Sequence, residues 1–158
     1  MGINHVRLSA ELIAVLYPET LVVEESVYPY LGKNLNSISF LVNYPDDEFI
    51  PEDQLAFLQK ILIACKLNLE DIALINTNRT HVELQVLKNI FHPRIIFLWG
   101  AVPALAGLNQ HLPDMSISTW ENIRILPVMQ SVLMSRDNSA GLELKRKLWI
   151  SLKKLFNL

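Results

Sequence analysis

Residues 37–76, SISFLVNYPDDEFIPEDQLAFLQKILIACKLNLEDIALIN, leave little freedom of fold class. Ile38, Phe40, Leu41 and Val42 form a short apolar run that suits a strand covered on both faces, as in a parallel sheet. Tyr44-Pro45 ends it, because proline has no N–H for the ladder and restricts its predecessor. Pro51 suits a first helical position, and Glu52 and Asp53 fall in a first turn where the helix dipole favours anions. Leu55, Phe57, Leu58, Ile61, Leu62 and Cys65 then recur at helical spacing. Asn68 suits a cap before a short turn, and Ile72, Ala73, Leu74 and Ile75 make a second apolar run. Strand, helix and strand in this order form a βαβ unit, whose two strands are parallel and whose crossover is right-handed.

The rest of the chain supplies further layers. Val6, Leu8, Leu12, Ile13, Val15 and Leu16 pattern an amphipathic helix that Pro18 ends. Leu21–Val23 reads as a short strand and Ser26–Asn36 as loop, so residues 1–36 form a helix-and-loop extension. Thr80 is expected to cap a helix running to about Phe91, stopped by His92-Pro93. Ile95, Ile96, Phe97 and Leu98 form a third buried strand ending in Trp99-Gly100, with a short helix expected over Ala101–Leu108. Ile117–Trp120 and Ile123–Leu126 make one interrupted strand or a hairpin, and Pro127 to Asn138 is expected to be mostly loop. Ser139 opens a final helix with Leu142, Leu148, Trp149, Leu152, Leu155 and Phe156 on its apolar stripe. The expectation is one α/β domain over residues 1–158: a three-layer α/β/α arrangement on a mainly parallel sheet of about four strands.

Composition narrows the function classes. At 158 residues, half of them apolar, the chain has enough material for a core and is not disordered. A net charge of -2 gives no global basic field of the kind that points to nucleic acid. The single cysteine, Cys65, excludes a disulfide framework and a cysteine-pair zinc site. No basic segment followed by an apolar one marks a signal peptide, and no apolar window reaches the roughly 18 residues of a membrane span. A reducing cytoplasm, with no membrane contact, is the expected setting.

Candidate sites have to be weighed against plainer roles. Asp46, Asp47, Glu48, Glu52 and Asp53 cluster just past a strand's carboxyl end, where open α/β sheets bind ligands. Oxygen ligands for a hard cation are conceivable there, but a solvated turn whose acids favour a helix N-terminus is the plainer role. His5, His81, His92 and His111 share no metal-ligand spacing, and no serine sits in a nucleophile elbow. Gly100 is a lone glycine, without the fingerprint of a dinucleotide site. No cofactor or metal is expected. Lys145, Arg146, Lys153 and Lys154 could meet phosphates of single-stranded DNA, although cations opposite a core stripe are more often solvated, partly paired as in Glu143 with Lys147. Tyr17, Tyr28, Tyr30 and Leu31 are candidate exposed anchors that either cover a sheet edge or dock a partner.

Three segments together resemble the uracil-DNA glycosylase superfamily. Residues 41–76 are similar to its opening block, in which an acidic turn precedes a helix and an asparagine-ended strand. IIFLWGAVPALAGL (95–108) is similar to the following strand and helix, and ILPVMQSVLMSRDN with LKRKLWISLKKLF (125–156) to the closing loop and helix. The resemblance covers roughly Ser37 to Phe156. The departures fall on the catalytic motifs. Val42-Asn43-Tyr44-Pro45-Asp46 stands where the family has glycines and a water-activating polar residue. Met129 stands in the place of the family's key histidine, and Gln130 in that of the following proline. A thioether donates no hydrogen bond to a departing base.

A chain with that scaffold and without those groups resembles the psi-subunit family of bacterial DNA polymerase III, which is similar to the glycosylases in fold but only holds partners together. The resemblance implies a non-catalytic interaction subunit whose partners are replication or DNA-maintenance proteins, a clamp loader or a chi-like subunit. The docking arm would be Met1–Pro18, with Leu8, Leu12, Leu16 and Tyr17 as contacts. The alternative it leaves open is a divergent glycosylase-like hydrolase in which Asp46 or Asp47 activates water and Asn43 lies beside the base.

Overall fold

The computed structural model describes residues 28–100, 112–129 and 131–158, the side chain of Leu133 excepted. These form a six-stranded sheet: β1 (Leu31–Gly32), β2 (Ile38–Val42), β3 (Ile72–Asn76), β4 (Ile95–Trp99), β5 (Ser118–Trp120) and β6 (Ile123–Val128). The helices are α1 (Glu52–Ala64), α2 (Leu84–Phe91), the single turn α3 (Ser131–Met134) and α4 (Ser139–Phe156). The strand order is β1-β3-β2-β4-β6-β5. Strands β3, β2, β4 and β6 run parallel to one another, and β1 and β5 close the two edges antiparallel. The α/β class holds, but the sheet is mixed and has six strands where about four, mainly parallel, are expected. The two additional strands are two and three residues long, too short to carry a periodic pattern.

Side chains alternate across the sheet, as the pleat requires. Ile38, Phe40 and Val42 of β2, with Phe97 and Trp99 of β4, meet Leu58 and Leu62 of α1 and Leu148, Leu152 and Leu155 of α4. On the other face Leu41, Ala73, Ile75, Ile96 and Leu98 meet Leu84, Leu87 and Phe91 of α2. Helices therefore cover both faces. The chain steps from β2 to β3 on one side, then returns past β2 to β4 on the other. With right-handed crossovers this reversal puts α1 and α2 on opposite faces and makes the carboxyl ends of β2 and β4 a topological switch point.

Local chemistry fixes the connections. Asn68 accepts from the Glu70 N–H at 2.9 Å while Asp71 accepts from the Asn68 N–H, a capping box that turns α1 into β3. His92, at φ 48°, ends α2 in the left-handed conformation. Glu121 and Asn122 both have positive φ (46° and 68°), as a two-residue hairpin turn of the primed type needs, so residues 118–128 form a hairpin rather than one interrupted strand. Gly32, at φ 104°, lies where an added Cβ would meet the Ile72 carbonyl oxygen at 2.2 Å, so β1 can lie against β3 only because of that glycine.

Several expectations are corrected. Thr80 caps no helix: α2 begins only after Glu83. Pro51 is the N-cap of α1, one residue before the helix. The segment 127–138, expected to be mostly loop, begins in β6 and contains α3. Leu142 and Trp149, expected in the core, face solvent (57% and 38% exposed). The expected helices over residues 5–17 and 101–108 and the strand at 21–23 lie outside the described residues.

Candidate functional site

The switch point gathers the acidic turn, the end of β3 and the start of α3. Asn76, the last residue of β3, is buried, and its amide is fully engaged. Nδ2 donates to the carbonyls of Tyr44 (2.8 Å), Asp47 (2.9 Å) and Glu48 (3.3 Å). Oδ1 accepts from the backbone N–H of Tyr44 (3.0 Å) and of Asn78 (3.2 Å). One side chain thus ties a turn of five residues to a strand about thirty positions later. Thr77 adds its N–H and its hydroxyl, both donated to the Val42 carbonyl at 2.7 Å. Arg79 Nε donates to the Asp47 carbonyl at 3.2 Å.

The residues singled out for chemistry sit within this weave. Asn43 Oδ1 accepts from Asn78 Nδ2 at 3.0 Å. Asp46 is exposed and Asp47 half-exposed, and the bonds that fix the turn run through backbone carbonyls rather than through their carboxylates. The shape of the turn therefore does not depend on its charges. Among the described residues no group of three or more His, Cys, Asp or Glu side chains is placed to hold a metal ion.

Beside the turn lies a second set of polar groups. The Tyr44 phenol is half-buried, and burial raises its pKa; a nearby Ser131 hydroxyl opposes this, while Asp53 and Asp47 add to it. Ser131, at the start of α3, is fully buried, and its Oγ makes no hydrogen bond of good geometry to a described residue. Trp99 Nε1 and Gln54 Oε1 are likewise buried and unpartnered among the described residues. Gln54 keeps its other end bound, donating from Nε2 to Ser135 Oγ at 3.1 Å, which holds α1 to the residue after α3. Gly100 follows β4 at φ 90° and donates its N–H to the Val128 carbonyl at 2.7 Å; a Cβ there would stand 3.4 Å from Ser131 Oγ. Met129, just past β6, is exposed and donates its N–H to Asp114 Oδ1 at 2.9 Å.

The remaining candidates separate. Tyr28 is not an exposed anchor: it is in the core beneath α2, its hydroxyl accepting from the Glu83 N–H at 2.9 Å. Tyr30 is half-buried and packs edge-on against Phe91 at 5.0 Å. Both hold the segment before β1 against α2, so their rings are engaged within the chain. Leu8, Leu12, Leu16 and Tyr17 lie outside the described residues. Cys65, at the end of α1, is buried; that burial pushes its thiol up to about 11, and thus away from the reactive thiolate. On α4, Lys145 lies 4.0 Å from Asp137 with its ammonium 5.8 Å from the centre of the Phe57 ring. Arg146 pairs with Glu143, displacing the expected Glu143–Lys147 pair. Lys153 and Lys154 are exposed.

Two features escape a reading of the sequence. Asn76 looks like the polar end of an apolar strand; the signal that marks it is a lone amide closing the run IALIN, at a position covered on both sides. The buried, unpartnered atoms of Ser131, Trp99 and Gln54 come from three distant segments and have no local signature. No described helix is long and apolar enough to cross a membrane. Compared with protein-family models and with curated proteins, the sequence finds no match.

Proposed function

We propose that this chain is a non-catalytic interaction subunit of the DNA replication machinery, acting in the cytoplasm on a uracil-DNA glycosylase-like scaffold. In this reading it resembles the psi subunits and joins a clamp loader or chi-like partner, with residues 1–18 as the docking arm. One observation carries the reading: in the acidic turn past β2, the polar groups nearest the ends of β2 and β3 are bonded to one another. Asn76 uses both ends of its amide on the turn, and Asn43 accepts from Asn78. Asn76 and Asn43 are thereby occupied within the fold rather than presented to a substrate, while the Asp46 and Asp47 carboxylates stay outside these bonds. The exposed Met129, at the position where the resembled family has its histidine, supports the same conclusion. The doubly wound order of β3, β2, β4 and β6 supports the fold part.

A second reading draws on a different observation. The buried, unpartnered Ser131 Oγ and Trp99 Nε1 favour a polar ligand near the same strand ends, and with it a divergent glycosylase-like hydrolase. In that case Asp46 or Asp47 would activate water, with Asn43 beside the base.

Two measurements separate the readings. Affinity purification from the native cells, followed by mass spectrometry, is expected to recover replication proteins; recovery of none overturns the first reading. Cleavage of uracil-containing single-stranded DNA is expected to be absent. Activity that Asp46→Asn or Asp47→Asn abolishes would establish the second.

A further inference from the structure

The two sides of α4 differ in kind. Gly141, Leu148, Ser151, Leu152 and Leu155 are buried. On the opposite side Leu142, Arg146, Trp149, Ile150 and Lys153 follow one another at spacings of four, three, one and three residues, a continuous helical stripe. Three of these are large apolar side chains in solvent: Leu142 at 57%, Ile150 at 50% and Trp149 at 38% exposure. Isolated exposed apolar residues are ordinary, but a row of three on one helix face is a patch.

The charge around the stripe is equally uneven. From Ser139 to Phe156 the cations are Lys145, Arg146, Lys147, Lys153 and Lys154 and the only acid is Glu143, a net charge of 5 − 1 = +4. The whole chain is at -2, so everything outside α4 sums to −6. Lys147, Lys153 and Lys154 form no ion pair among the described residues. The helix is a cationic island on an acidic protein, with apolar side chains along its middle.

We infer that the solvent side of α4 is a docking surface for an acidic peptide segment carrying apolar side chains, contributed by another protein. The apolar stripe would receive the peptide's apolar residues, and the flanking cations its carboxylates. Trp and Arg are the residue types that most often anchor such contacts. A nucleic acid fits less well. Its phosphates would use the cations, but single strands need successive aromatic platforms, and this stripe offers one aromatic ring between two aliphatic side chains. The inference rests on α4 alone and stands whether or not the replication reading holds.

Fluorescence anisotropy on the full chain tests it with three labelled probes: a peptide alternating Asp with Leu and Phe, a peptide of Asp and Ser only, and oligo-dT. The first probe is expected to bind and to shift Trp149 emission to the blue. Leu142→Ser with Ile150→Ser is expected to weaken it about tenfold or more, as is Lys153→Glu with Lys154→Glu, with circular-dichroism melts showing that both variants fold. The Asp/Ser probe is expected to bind about tenfold more weakly than the first. Failure of the first probe to bind overturns the inference. Oligo-dT binding more tightly than the peptide, insensitive to Leu142→Ser with Ile150→Ser, would assign the face to nucleic acid. Self-association in sedimentation, abolished by the same pair, would assign it to a second copy of this chain. Either result overturns the inference. The cleavage and purification outcomes above are read separately, so failure here leaves that reading to its own tests.

Discussion

The acidic turn at residues 44–48 and the basic helix α4 look alike as sequence: each is a run of one sign of charge beside an apolar stretch. In the structure they behave oppositely. The turn is held by a buried amide from β3, and its backbone carbonyls are taken up by Asn76 and Arg79. Helix α4 packs on the sheet through Leu148, Leu152 and Leu155, with Ser151 Oγ donating to the Met115 carbonyl at 2.6 Å, and its outer face keeps both cations and apolar side chains in water. A charge run is a scaffold part where its backbone is anchored from within and a recognition surface where it is not. The distinction lies in hydrogen-bond partners rather than in composition.

The sharpest way to break this contrast is to remove the anchor. Asn76→Ala deletes five hydrogen bonds and leaves the Tyr44 N–H and several carbonyls to find water in a partly buried place. A buried polar group left unpaired costs about 1–3 kcal/mol, and the losses here are concerted, so the expected destabilisation is about 3 kcal/mol. Urea unfolding measures it. A loss below about 1 kcal/mol would mean that the turn holds its own shape and that the Asn76 bonds are incidental.

Asparagine offers a second, milder test within α4. Asn138 caps that helix, its Oδ1 accepting from the Gly141 N–H at 2.8 Å. This cap is open to water, so its loss can be repaired by solvent. Asn138→Ala is expected to cost about 1 kcal/mol, roughly a third of the effect at Asn76. Equal effects at the two asparagines would erase the distinction between an internal anchor and a terminal cap.

How far the sequence announces these roles depends on where each residue's partners lie. The central strands at Ile38–Val42, Ile72–Asn76 and Ile95–Trp99 are legible because continuous apolar runs bounded by turn residues have few other uses. β1 is not legible, since it exists through Gly32 and its pairing with Ala73 and Leu74, some forty residues away. Tyr28 looks exposed because it sits in a proline-containing, loop-like stretch, yet its hydroxyl finds the Glu83 N–H 55 residues later. Asn76 fails for the same reason: its partners are known only once β2 and β3 are side by side. Leu142 and Trp149 illustrate a different limit. The arc of the helix facing the core is about 100° wide, and an apolar stripe drawn through Leu142, Leu148, Trp149 and Phe156 is wider than that. The sheet takes one side of that stripe, Leu148, Leu152 and Leu155, and leaves Leu142 and Trp149 at the other side in water. At the switch point, the position of the site could be expected from topology alone, but the closed bonding of the acidic turn could not.

The smallest expected effect on stability is also the most discriminating. Leu142→Ser replaces a side chain that is more than half exposed, on the first turns of α4, with a residue of lower helix propensity. An exposed substitution away from caps and cores stays within about 0.5 kcal/mol, so urea unfolding of Leu142→Ser should overlay that of the parent chain. Leu148→Ala, on the buried side of the same helix, should instead cost about 3 kcal/mol through lost burial and a residual cavity. If Leu142→Ser destabilised the protein by more than about 1 kcal/mol, some part of the chain would be packed over that face, and the stripe would be interior rather than an open surface. Near-neutrality at Leu142 beside a large loss at Leu148 would establish that α4 is fixed from one side only, the condition under which its outer row of apolar and cationic groups is available to another molecule.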